Sequence, residues 1–143
     1  MLTVSGIAHV AIKVRNAQAS LDFYMDKLGF EEMFRLDRNG RLWIIYLRIT
    51  DTQFLEIFPD GTGDSAPGDD LVGFNHLCLE VPDIHQSVRE VEAKGIELFR
   101  TAKQGADGNW QAWIRDPDGH RIELMQMAPS NMQAEAIARI KAK

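Results

Sequence analysis

At 143 residues the chain is long enough for one compact domain with a real core and too short for two ordinary ones. Apolar residues make up 45 %, which excludes a disordered chain, and the net charge of −5 comes with Lys and Arg scattered rather than blocked, which disfavours a nucleic-acid partner. No run approaches the roughly 18–20 apolar residues that would span a bilayer. One cysteine, Cys78, rules out an internal disulfide. Met1–Gly6 lacks the charged start and apolar stretch of a signal peptide, so a reducing, cytoplasmic setting is expected.

The first element is a strand. In the run His9–Val14, Val10, Ile12 and Val14 alternate with His9, Ala11 and Lys13. A helix then starts at Asn16, a good N-cap, and runs to Leu28. Leu21, Tyr24, Met25 and Leu28 are spaced as one apolar stripe, and Gly29 stops it. Strand-like runs follow at Glu31–Arg35, Leu42–Ile49 and Phe54–Phe58, with turns at Asn39-Gly40 and Asp51-Thr52. Residues 60–71 read as a linker, because Gly, Pro, Ser and Asp dominate there.

The sequence then repeats itself. Gly73–Val81 matches Gly6–Val14, placing His76 against His9 at an offset of 76 − 9 = 67. Arg121–Met125 matches Phe54–Phe58, placing Glu123 against Glu56 at the same offset, 123 − 56 = 67. A second helix starts at Asp83 with Gln86 as a capping box, carries Ile84, Val88 and Val91, and closes at Gly95. Strands are expected at Glu97–Arg100, Trp110–Arg115 and Arg121–Met127. A capping box from Ser130 to Gln133 opens a tail helix with Met132, Ala136 and Ile140 on one face. The expected organisation is a domain over 1–128, with modules at about 5–59 and 72–127, and a helical tail over 129–143.

Alternation places each histidine and each glutamate on the strand face away from the apolar side. Four donors, His9, Glu56, His76 and Glu123, are therefore expected to share one concave surface. Imidazole with carboxylate suits a borderline divalent ion such as Ni²⁺, Zn²⁺, Co²⁺, Mn²⁺ or Fe²⁺. Four protein ligands leave positions open for substrate oxygens. Lys13 lies on the His9 face and is a candidate substrate-binding residue. Cys78 is expected to be a small buried thiol, His85 and His120 surface residues, and Trp43, Trp110 and Trp113 core or subunit contacts.

Three stretches resemble the vicinal oxygen chelate superfamily, which includes glyoxalase I, bleomycin-resistance proteins, extradiol dioxygenases and methylmalonyl-CoA epimerase. They are His9, the phrase Leu21–Phe30, and Asp116-Pro117-Asp118-Gly119-His120-Arg121-Ile122-Glu123-Leu124. The resemblance covers about residues 5–127. It implies an α+β fold of two βαβββ modules forming a curved mixed sheet around a metal. It also implies a homodimer whose site draws ligands from one chain or two. The ligand set His, Glu, His, Glu looks most like short bacterial glyoxalase I, which implies nickel as first choice. The implied chemistry is a lyase or isomerase reaction that moves a proton next to a carbonyl through an enediolate, with Glu123 as first candidate base and Glu56 as the alternative. Lys13, Asp60 and Val72 stand where glyoxalases carry Arg, Asn and Arg for glutathione. This departure leaves two other readings open: epimerisation of a CoA thioester or other small carbonyl compound, and simple binding of a small molecule.

Overall fold

The computed structural model describes residues 1–143. The chain forms two compact units, Met1–Ala66 and Pro67–Lys143. The first contains β1 (His9–Lys13), α1 (Ala17–Leu21) continuing as a π-helical segment (Asp22–Lys27), β2 (Glu31–Arg38), β3 (Arg41–Arg48) and β4 (Phe54–Phe58). The second contains β5 (Leu77–Glu80), α2 (Ile84–Ala93), β6 (Leu98–Gln104), β7 (Trp110–Arg115), β8 (Arg121–Gln126) and α3 (Met132–Lys141). The strand orders are β1-β4-β3-β2 and β5-β8-β7-β6. In each, the first and last strands pair in parallel and the rest antiparallel, giving the two mixed βαβββ sheets of an α+β fold.

Alternation decides what each sheet buries. In the first, Ile12 pairs with Ile57, Ile57 with Ile45, and Leu55 with Leu47. Ile45, Leu47, Leu55 and Ile57 are wholly buried. In the second, Ala112, Ile114 and Ile122 are wholly buried and Leu124 nearly so. Truncating any of the buried Ile or Leu side chains to Ala costs about 2–5 kcal/mol. The opposite faces are thereby left to His9, Glu56, His76 and Glu123.

The first helix departs from the expected stripe. Asn16 caps it, its side chain accepting from the Ala19 N–H, but regular α-helix ends at Leu21. The next turns widen, with the Leu28 N–H donating to the Phe23 carbonyl five residues back. The wider turn rotates the chain, so Leu21, Phe23 and Tyr24 are buried, while Met25 and Leu28 are only half-buried. Gly29, at φ 81°, ends the segment as expected.

Two capping boxes form only in part. Asp83 accepts from the Gln86 N–H at 2.9 Å, but the Gln86 side chain turns to Glu90 instead of back to the cap. At the tail the cap is Asn131, not Ser130, and Gln133 bonds Asp107. β2 runs past the expected Arg35 to Arg38. Asn39 and Gly40 both adopt positive φ (54° and 74°), making a two-residue turn that lets Arg38 pair with Arg41. β6 likewise extends beyond Arg100 to Gln104.

Each sheet also carries a bulge. In β2, Met33 is the extra residue between the pairs Glu32–Leu47 and Phe34–Tyr46. In β6, Phe99 is the extra residue between Leu98–Ile114 and Arg100–Trp113. A bulge breaks alternation, so two consecutive side chains emerge on one face.

Candidate metal centre

In the first unit His9 stands at the start of β1 and Glu56 in the middle of β4, the adjacent parallel strand. His9 Nε2 lies 3.7 Å from Glu56 Oε2. Glu56 is buried, whereas the His9 side chain is half exposed. Tyr46 stands directly across from Glu56 on β3, and that carboxylate acts on its hydroxyl as acceptor and as charge. Burial, and then Glu56 as acceptor, hold the Tyr46 hydroxyl above the usual phenol range. The Tyr46 ring stacks on Phe34, 4.3 Å between centroids, which fixes the phenol's direction.

In the second unit His76 immediately precedes β5, and Glu123 lies on β8. His76 Nε2 is 3.1 Å from Glu123 Oε2. The other imidazole nitrogen, Nδ1, is 2.7 Å from the Asn75 side-chain oxygen. With the amide oxygen as acceptor, Nδ1 carries a proton, and Nε2 faces the Glu123 carboxylate. Two acceptors 3.1 Å apart repel unless a cation, proton or metal, lies between them. The donor set therefore fits a divalent ion, and a metal-ligating histidine anchored through its second nitrogen is the usual arrangement.

Asn75 is itself held. The buried Arg121 guanidinium donates to its carbonyl twice, at 3.0 and 2.7 Å, and also pairs with Asp69 at 3.2 Å. Arg121 thus ties the segment before β5 to the strand that carries Glu123. In the first unit the matching position is Phe54, whose backbone N–H alone bonds Ala8. The second pair is accordingly the shorter of the two, and its histidine is the less exposed.

Each unit brings one histidine and one glutamate together, and neither gathers a group of three or more His, Cys, Asp or Glu side chains for a metal. Lys13 lies on the His9 face and is exposed. Asp60, at φ 63°, pairs with Arg41 at 3.6 Å on the surface.

Three expectations change. Cys78 is exposed rather than buried, on β5 directly across from Glu123. Partial burial of its thiol, then the Glu123 carboxylate beside it, push it up to about 12. His120 is no surface residue: its side chain is mostly buried, with Nδ1 2.8 Å from Asp116, and that carboxylate also accepts the Asp118 and His120 N–H groups. Its role is to close the Asp116–Gly119 turn. Trp113 belongs to neither core nor subunit contact alone. Its ring lies 4.8 Å from His76, edge to face, and it pairs across strands with Glu123. His85 is exposed, as expected, against Trp110.

Neither a tyrosine nor a tryptophan signals a metal by its type, so sequence reasoning does not place Tyr46 or Trp113 at the site. Their spacing was the available clue: they too are 67 positions apart (113 − 46 = 67), as are Trp43 and Trp110.

No helix is long and apolar enough to cross a membrane. Residues 6–124 match the Glyoxalase/Bleomycin resistance protein/Dioxygenase superfamily. The chain is 30 % identical over 125 residues to a lactoylglutathione lyase of Neisseria meningitidis, covering 84 % of this chain and 89 % of that protein. It is 30 % identical over 133 residues to the mitochondrial methylmalonyl-CoA epimerase of Dictyostelium discoideum, covering 85 % and 78 %. The crystal structure of a glyoxalase family protein from Enterococcus faecalis superposes with a TM-score of 0.74 at 31 % identity, covering 85 % of this chain and 97 % of that one. Fold, donor pairs and sequence agree: this chain belongs to the Glyoxalase/Bleomycin resistance protein/Dioxygenase superfamily.

Proposed function

We propose that this protein is a divalent-metal-dependent lyase or isomerase that moves a proton on a carbon next to a carbonyl, in the manner of a lactoylglutathione lyase. The observation that carries the reading is the His–Glu pair built twice, on matching strands of two modules. His9, Glu56, His76 and Glu123 are the ligand set. Since each module supplies two donors, a full set takes both kinds of module, from one chain or from two copies in a homodimer. Nickel is the first choice of metal, with Zn, Co, Mn and Fe as the others.

When bound, such an ion supplies Lewis acidity for a carbonyl oxygen and so stabilises the negative charge that proton removal creates. The chain's own residues do the rest. Glu123 is the base that takes the proton and returns it to the same or the neighbouring carbon. Asn75 and Arg121 hold His76 in the tautomer that leaves Nε2 free. Glu56, bonded by Tyr46, is the less available base and serves first as a ligand. Lys13 contributes a positive charge to the substrate.

Epimerisation of a CoA thioester or related carbonyl compound is the second reading. It is favoured by the equal identity to a methylmalonyl-CoA epimerase and by Lys13 and Asp60 in place of the expected glutathione contacts. One experiment separates the two. Protein purified without chelator is assayed for metal content, then given the methylglyoxal–glutathione hemithioacetal and, separately, methylmalonyl-CoA in deuterated water. Conversion of the hemithioacetal supports the lyase, and deuterium incorporation into the thioester supports the epimerase. Absence of metal, with neither activity restored by added Ni²⁺ or Zn²⁺, would sink both and leave a small-molecule-binding protein.

A further inference from the structure

The bulge in β6 has a consequence for the substrate. Because Phe99 is the extra residue, Phe99 and Arg100 both emerge on the Trp113 and Glu123 face of the second sheet. The Phe99 and Trp113 rings lie 6.1 Å apart. The Arg100 guanidinium is 5.7 Å from the Trp113 ring centre and 5.8 Å from that of Phe99, and Arg115 lies 4.1 Å over Phe99. Trp113 in turn touches His76. Two guanidiniums and two rings therefore form one patch beside the His76–Glu123 pair.

The first unit shows what these arginines lack. Arg48 holds the position matching Arg115, 67 residues earlier, and its charge is met by Asp51 at 2.7 Å and Glu31 at 3.6 Å. Arg115 lies over the Phe99 ring, Arg100 stands at the outer reach of the Trp113 and Phe99 rings, and neither has such a carboxylate partner. A guanidinium stacked on a ring uses its face and keeps its in-plane N–H fork for an anion. In a chain of net charge −5, two uncompensated cations beside the proposed metal ligands are matched to a negative ligand.

We propose that Phe99, Arg100, Trp113 and Arg115 form a subsite for the carboxylate and planar apolar part of the substrate, which takes the second reading above, a small carbonyl compound, to an aryl-substituted or similarly planar oxo acid in place of the glutathione hemithioacetal. The proposal rests on the functional reading above for the position of the reacting carbonyl, while the subsite itself requires no metal.

The test uses the full chain stripped of metal, titrated calorimetrically with phenylpyruvate, pyruvate, phenylacetone and glutathione. Phenylpyruvate carries ring and carboxylate, pyruvate only the carboxylate, phenylacetone only the ring, and glutathione carboxylates without a ring. Phenylpyruvate is expected to bind at least about tenfold more tightly than each of the others, and Arg100→Gln with Arg115→Gln to remove that advantage. Equal binding of pyruvate or glutathione, or unchanged binding by the double variant, overturns the subsite. Metal uptake by the double variant is measured in parallel and is expected to match the parent. Loss of the metal reading with the arginine dependence intact leaves the subsite standing, and the reverse outcome removes the subsite alone.

Discussion

Tyr46 and Trp113 occupy the same place in the two modules, and each is the cross-strand neighbour of a glutamate, Tyr46 of Glu56 and Trp113 of Glu123. One offers its carboxylate a hydroxyl; the other offers a ring that touches the paired histidine. The repeat is thus symmetric in ligands and asymmetric in what surrounds them. Glu56 stands across from a phenol whose ring is stacked on Phe34, while Glu123 stands across from the Cys78 thiol on one side and the Trp113 ring on the other. That difference is the physical basis for assigning Glu123 as base.

Tyr46→Phe keeps the stack on Phe34 and removes only the hydroxyl. Outer-shell changes of this kind cost tenfold to a hundredfold in metal affinity. We expect a loss of about tenfold, read as the dissociation constant in a competitive chelator titration, with the fold unchanged by circular dichroism. Unchanged affinity would show that the phenol does not orient Glu56.

Glu56→Gln and Glu123→Gln each replace an anionic donor by a neutral one. Each is expected to weaken metal binding by at least ~100-fold, at or beyond the upper end of outer-shell effects. If Glu123 is the base, Glu123→Gln stays inactive even when saturated with metal, whereas Glu56→Gln regains measurable turnover. Equal recovery by both variants would contradict the assignment.

Cys78 is exposed but its thiol is pushed up to about 12 from an ordinary 9.0. The thiolate is the reactive form, so at pH 8 its population is lower by about a thousandfold than that of an ordinary thiol. In metal-free protein, reaction with a disulfide reagent should be slow in proportion. Glu123→Gln removes the neighbouring charge, returns the thiol toward its ordinary range and should accelerate the reaction. A fast reaction in the parent protein would refute the raised thiol, and no acceleration in Glu123→Gln would leave burial as its whole cause.

Asn109, almost fully buried, clamps the start of α3. It donates to Asp107 and Gln133 at 3.0 Å each and accepts from the Ala128 N–H at 3.0 Å. Asn109→Ala leaves these partners unsatisfied and should cost about 2–3 kcal/mol in urea unfolding. The Gln133 bond, with those from Asn109, holds the Asp107 carboxyl below its ordinary range. A depressed carboxyl stabilises the fold above its unfolded value and loses that contribution as pH falls through its folded value. The clamp should therefore persist at neutral pH and weaken only in acid below the ordinary aspartate range. Amide exchange of α3 across pH 7 to 3 measures this.

By itself the sequence determined the repeat, the strand faces and the residues of the two His–Glu pairs. Period-two alternation says which side of a strand is apolar, and two histidines and two glutamates at one offset need no coordinates to be noticed. Tertiary structure decided what alternation does not encode. The π-helical widening after Leu21 brought Phe23 into the core in place of Met25, because hydrogen-bond spacing depends on how the helix is packed and not on local spacing alone. The bulge at Phe99 turned two neighbouring side chains to one face, because an extra residue in one strand has meaning only against the register of its partner. Tyr46 and Trp113 became site residues for the same reason: which residue stands across from a glutamate is a property of strand pairing, formed between segments far apart in the chain.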